Sequence, residues 1–196
     1  MEKALDVIAR LDREVDAFSR RTRLLNEPLT PARARLFVAQ HRLNSRERNS
    51  RMKLTVATNC PDWDLRLRII AASAQEIIAD DEFGHGRPHW ALLEDVGVAI
   101  GMAREEIANA RPLDSTQVAW LAWEALTKNR HWLEGLVANT CSERSNIPGY
   151  GHGDVRELGW FPAWGPRWRE LFGLTEEQTH FFAMHGPADV EHSNTA

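Results

Sequence analysis

Apolar residues recur every three or four positions along almost the whole chain, and strict apolar–polar alternation, the mark of a half-buried strand, is nearly absent. Leu5, Ile8, Leu11, Val15 and Phe18 set this period over the first twenty-odd residues. Leu65, Ile69, Ala72, Glu76 and Ile77 repeat it between Asp62 and about Asp81. A long stretch from Ser115 to about Glu143 carries Trp120, Trp123, Trp132, Leu133 and Leu136. The punctuation agrees. Thr30-Pro31 supplies an N-cap and a first-turn proline, and the helical pattern then runs to Cys60, with a break expected near Asn44 to Ser50, before Pro61 stops it. Another helix is expected from Pro88 to about Met102, and Thr175-Glu-Glu-Gln178 is a capping box opening the last one. Amphipathic helices bury their apolar stripes only against one another, so the expected architecture is an all-α bundle of about seven helices forming one domain over residues 1–196.

Composition narrows the class of partner. A chain with 43% hydrophobic and 27% charged residues is ordinary for a folded globular protein. The net charge of −4 gives no basic footprint, and the run Arg42, Arg46, Arg48 and Arg51 reads as a solvated helix face, so no nucleic-acid partner is expected. Two cysteines, Cys60 and Cys141, make no disulfide framework and fit a reducing compartment. No signal-peptide pattern opens the chain and no run nears the ~18 apolar residues of a membrane span, which makes a cytoplasmic location and no membrane partner the expectation. Asn146 to Pro166 breaks the period with prolines, glycines and aromatics, and reads as a lid-like loop whose Tyr150, Trp160 and Trp164 are candidates for a substrate pocket.

The chemistry concentrates in two short segments. His185-Gly-Pro-Ala-Asp189-Val-Glu-His192 places two imidazoles and a carboxylate at i, i+4 and i+7, one face of a helix. A divalent transition ion turns such crowding into coordination, although Pro187 within the triplet predicts a kink. Glu82-Phe-Gly-His-Gly-Arg-Pro-His89 is the second segment, with Glu82 expected to close one helix and His89 to open the next. Asp80, Asp81 and Glu82 would then share a last turn where the helix dipole disfavours each by roughly 0.3–1 kcal/mol, so a nearby cation is expected. A further carboxylate from the Ser115 helix would complete a dinuclear site, and Glu124, Glu134 and Glu143 all qualify by period. His85, between two glycines, is a spare ligand or an exposed loop histidine, and His131 and Glu124, seven apart, read as a polar contact. His41, His152 and His180 have no partner spacing.

The order Glu-x6-His, a helical glutamate, then His-x3-Asp-x2-His resembles the haem-oxygenase-like diiron oxidases, which share the seven-helix fold of the TenA thiaminases and pyrroloquinoline-quinone synthase. Leu29-Thr-Pro and Phe181-Phe182 extend the likeness over nearly the whole chain. The spacing of the middle glutamate in that group selects Glu143 over Glu124. The resemblance implies a metal set of Glu82, His89, Glu143, His185, Asp189 and His192, with Glu124 and His85 as alternates. It implies two ferrous ions, with manganese admissible at one position, dioxygen as co-substrate, an electron donor and a homodimer. The reaction it implies is oxidation of a small, amino-acid-derived metabolite in a biosynthetic pathway. That fold commonly continues into another helix beyond the point corresponding to Ala196, so a further tail is expected. Glu143, entering from a helix opposite the other clusters, is the expected bridge between the ions. Two rival readings stand beside this one: a metal-independent TenA-like hydrolase with Cys141 as nucleophile, which needs a low-pKa thiol, and a non-catalytic helical interaction domain.

Overall fold

Side-chain caps fix where the helices begin. In the computed structural model, which describes residues 2–147 and 159–193, Thr30 Oγ1 accepts from the Arg33 amide at 3.3 Å just ahead of Pro31. Asp62 Oδ1 accepts from the Leu65 amide at 2.8 Å. Thr175 and Gln178 bond reciprocally at 3.2 and 2.9 Å, the capping box that the sequence carries. In chain order the helices are α1 (Glu2–Arg21), α2 (Arg23–Asn26), α3 (Pro31–Glu47), α4 (Lys53–Asn59), α5 (Trp63–Ile77), α6 (His89–Ala99), α7 (Arg104–Ala108), α8 (Asp114–Asn129), α9 (Trp132–Arg144), α10 (Trp160–Phe172) and α11 (His180–Ser193). The described residues contain no strand, and an all-α bundle is the fold, as the helical period predicts.

Several boundaries differ from the sequence pattern, each for a local reason. The helix does not break between Asn44 and Ser50; it widens into a π-helical turn at Arg48–Met52 that joins α3 to α4, a device frequent at functional sites. The long Ser115 helix is two, because His131 leaves the helix and its Nδ1 accepts from the Leu133 amide at 3.3 Å to start α9. Helix α5 ends at Ile77, before the three acids that its dipole would oppose. The aromatic segment is not all loop: Trp160, Phe161 and Trp164 fall on α10, while residues 148–158, Tyr150 among them, lie outside the described residues. Helix α11 passes through Pro187 without ending, with that ring on its exposed side, so the spacing of its ligand triplet survives.

Two cores hold the bundle. Phe37, Leu93, Trp168, Phe181 and Phe182 join α3, α6, α10 and α11. Full burial of each such side chain contributes roughly 1.5–3 kcal/mol. Val56, Ile69 and Leu136 join α4, α5 and α9. Gly135 allows that second contact, since a Cβ there would stand 2.8 Å from Val56 Cγ2. Helix α1 is tied to α9 by the Arg144–Asp12 ion pair. No helix among the described residues is long and apolar enough to cross a membrane.

Candidate metal centre

Between the two cores, polar side chains meet where apolar ones would be expected. Glu76 of α5, Glu143 of α9, and Asp189 and His192 of α11 are all buried, and one ligand atom from each lies within 4.8 Å of the others. His89, the first residue of α6, is completely buried beside them, its ring 6.0 Å from that of His192 and 5.1 Å from that of His185. Three carboxylates and three imidazoles are therefore contributed by α5, α6, α9 and α11.

Each imidazole is oriented by the hydrogen bond of its other nitrogen, as in metal sites generally. His192 Nε2 donates to Gln75 Oε1 at 3.0 Å, leaving Nδ1 with its lone pair 3.7 Å from Asp189 and 3.8 Å from Glu76. His185 Nδ1 donates to the Phe181 carbonyl at 2.6 Å, which leaves the lone pair on Nε2. His89 Nε2 donates to Asp80 Oδ2 at 2.8 Å, and its Nδ1 lies 3.0 Å from Glu76 Oε2 without hydrogen-bond alignment. The other Asp80 oxygen accepts from the amides of Glu82 and Phe83 at 3.0 and 2.9 Å, building the turn between α5 and α6. His180 Nε2 donates to the Phe83 carbonyl at 2.7 Å and pins that turn to α11.

Two cations face the carboxylates, Arg48 from the π-helical turn and Lys53 from the start of α4. Arg48 Nη2 lies 3.0 Å and Lys53 Nζ 3.7 Å from the same Glu143 oxygen, Oε1. Both cations are on Oε1 and neither is on Oε2. Glu76 differs: Oε1 faces His192 Nδ1 and Oε2 faces His89 Nδ1.

Electrostatics fit a cation. Burial opposes ionisation of Glu143, but Arg48 and Lys53 prevail and hold it at about 2. Glu76 is likewise held well below the usual carboxylate range, against burial, by His89, His192 and Lys53. Burial and then the charges of Glu143 and Glu76 push Asp189 well above that range. Burial opposes a charge on His89, yet Glu76, Asp80 and Asp189 raise it to about 10. Without a cation the cluster therefore keeps protons on His89 and Asp189. Among the described residues no aligned hydrogen bond reaches the Asp189 oxygens or the Nδ1 atoms of His89 and His192, a costly state for buried polar atoms that a cation among them would relieve. The donor set, rich in carboxylate and imidazole and lacking thiolate, suits iron or manganese.

The structure places the sequence candidates unevenly. His89, Glu143, His185, Asp189 and His192 come together, but Glu82 does not: it is exposed on the turn that Asp80 caps, and Glu76 stands where it is expected. His85 is exposed in a left-handed conformation and stacks on His180, with ring centroids 4.2 Å apart, outside the cluster. Glu124 pairs with Arg51 at 2.9 Å and Lys128 at 3.6 Å, also outside it. Arg42 and Arg48 do not lie on a solvated face: Arg42 is buried against Glu94, and Arg48 reaches Glu143. Glu76 had a legible signal, a carboxylate at an otherwise apolar position of the α5 period. Asp80 showed only as one of three consecutive acids.

A cavity of about 450 Å³ opens onto the cluster between α1, α3, α9 and α10. Glu76, Glu143 and His185 form its floor, and Leu11, Val15, Phe18, Trp160 and Phe161 give it an apolar wall. Trp160 is thus where a pocket residue is expected. Trp164 is not: it is buried in the core with its ring 4.9 Å from that of Phe37. His41 borders the cavity and is kept neutral down to about 4, by burial first and then by Arg48. Cys141 also borders it, but burial and the nearby Asp12 push its thiol up, the reverse of an activated nucleophile.

The chain has a counterpart among known protein families. The profile of a family described as iron-containing redox enzymes matches residues 35–196, which takes in every side chain of the cluster. No curated protein and no solved structure matches the chain. Over that span the iron-ready donor set and the family likeness coincide, and the chain belongs to the haem-oxygenase-like family of iron-containing redox enzymes.

Proposed function

We propose that the protein is a non-haem diiron oxidase or oxygenase that uses dioxygen to oxidise a small metabolite held in the cavity above the cluster. The observation that carries this reading is the meeting of Glu76, Glu143, Asp189 and His192 within 4.8 Å, fully buried, with two further imidazoles against them. Glu76, His89, Glu143, His185, Asp189 and His192 would hold two ferrous ions, or iron with manganese at one position. Bound ferrous iron supplies the electrons and open coordination positions needed to reduce dioxygen.

The chain's own residues supply the rest. Asp80 fixes the His89 tautomer so that Nδ1 faces the cluster, and Gln75 does the same for His192. Arg48 and Lys53 hold one Glu143 oxygen and leave the other available. Phe161 packs edge-on against His185, with centroids 4.8 Å apart, and limits water at the inner end of the cavity. An external electron donor is needed to return the site to its ferrous state.

Anaerobic titration with ferrous iron followed by oxygen exposure tests the proposal. Two irons per chain and oxygen uptake that depends on ferrous loading are expected. Protein that takes up no iron, or loaded protein that consumes no oxygen, would refute it.

A further inference from the structure

Helix α8 carries apolar residues on two opposite faces. One turns inward: Thr116 Oγ1 donates to Gln40 Oε1 at 2.8 Å, Trp120 Nε1 donates to Asn44 Oδ1 at 3.3 Å, Trp123 is half-buried and Thr127 is buried. The opposite stripe, Asp114, Val118, Leu121, Ala125 and Lys128, is exposed along its whole length, with Val118 and Leu121 each 64% accessible. A surface helix ordinarily buries its apolar face and shows water a polar one, and a helix apolar on both sides is a helix covered on both sides. Steps of four, three, four and three residues keep the stripe straight on a helix wound to about 3.5 residues per turn, the spacing by which two helices pair.

The ends of the stripe carry opposite charges at equal distance from its centre: Asp114 lies seven residues before Leu121 and Lys128 seven after it. Turned end over end on a second α8, Leu121 meets Leu121, Val118 meets Ala125, and a carboxylate meets an ammonium at both ends. Parallel pairing would set acid on acid and base on base. Lys128 already lies 3.6 Å from Glu124 of its own helix, which Arg51 holds at 2.9 Å, but exposed pairs of this kind contribute little and do not compete with a new contact. The outer side of α5 also exposes Trp63, Leu67, Ile70 and Ile78, yet Asp62 and Asp64 stand at one end and Asp81 and Glu82 beyond the other, so reversal there brings acid against acid. We propose that two copies of the chain associate through α8, antiparallel about a two-fold axis at Leu121, with Asp114 of one copy against Lys128 of the other. The pairing covers the apolar stripe and does not depend on the metal centre.

Sedimentation velocity of the full chain over a range of concentrations tests the pairing. A dimer with a micromolar or tighter Kd is expected, and a chain that stays monomeric at about 100 μM overturns the proposal. Leu121→Glu is expected to abolish association while its far-ultraviolet circular dichroism matches the parent, because the side chain it replaces is exposed. A dimer that persists in this variant is held by another face and overturns the proposal. Charge reversal tests the direction. Asp114→Lys and Lys128→Asp each act twice in a two-fold pair, and each is expected to weaken association about tenfold, whereas the double variant should recover to within about threefold of the parent. Recovery is read as dimer affinity rather than thermal stability, because in the double variant both charges oppose the dipole of their own helix. A double variant as weak as the single ones, or weaker, overturns the antiparallel arrangement.

Discussion

Asp80→Asn separates a structural role at the turn from a role in metal binding. Asp80 uses Oδ1 to accept from two backbone amides and Oδ2 to accept from His89 Nε2 at 2.8 Å, and it is completely buried. Asparagine can keep its carbonyl oxygen on the two amides, but its NH2 group then faces the N–H of His89. To avoid donor against donor, His89 must shift its proton to Nδ1, the atom that faces Glu76 and the cluster. The lone pair an ion needs is thereby lost. Changes to such outer partners typically cost 10–100-fold in metal affinity, about 1.4–2.7 kcal/mol. The upper end is expected, because the substitution enforces the wrong tautomer as well as removing charge. Fold stability should fall less than with Asp80→Ala, which also abandons the two amides. Anaerobic competition between the protein and a chelator for ferrous iron measures the affinity, with the exposed neighbour Asp81→Asn as control. Binding by Asp80→Asn within about twofold of the parent would refute the argument that Asp80 sets the His89 tautomer.

Glu76→Gln is expected to lower iron stoichiometry below two per chain by elemental analysis, whereas the exposed Glu82→Gln should leave it unchanged; the reverse pattern would restore Glu82 as a ligand. Metal-free protein should be most stable near pH 6.5. Below that value the unfolded chain protonates His41 and His185, which the fold keeps neutral down to about 4 and about 3, so stability falls with falling pH. Above it, the stabilisation tied to the proton on His89 is lost progressively as pH rises towards about 10, and melting temperatures across pH 4 to 10 would show a monotonic trend if this is wrong. Because His89 and Asp189 both retain protons in the metal-free state, ion binding should release protons, seen calorimetrically as a heat that changes with the ionisation enthalpy of the buffer. Gly97→Ala would place a Cβ 2.6 Å from Ile107 Cδ1 and 2.8 Å from Val38 Cγ1, and should cost about 1–3 kcal/mol in denaturant unfolding; a neutral result would refute the close packing of α3, α6 and α7 at this point.

The helical class, the caps at Thr30 and Thr175 and the facial grouping of His185, Asp189 and His192 are all legible in the chain because they depend on residues within about two turns of one another. The same local logic selects Glu82, whereas the fold brings Glu76, earlier in the chain, to the cluster. It has no means of knowing that Asp80 would cap a turn with one oxygen and meet His89 with the other. His131 is a comparable case: on the period alone it continues a helix, and only the geometry of the Leu133 amide makes it a cap.

What the sequence by itself determined is therefore the inventory: an all-α chain with enough carboxylates and imidazoles at helical spacing to hold an ion. What only the tertiary structure decided is which of them meet. Glu76, Glu143 and Arg48 are far apart in the chain, and the helical period of each segment says nothing of their meeting. They become neighbours because α5, α9 and the π-helical turn pack against α11, and nothing in a local pattern records that convergence. The physical reason is that spacing along a helix fixes a side chain's face, whereas its partner across a core is fixed by the packing of whole helices.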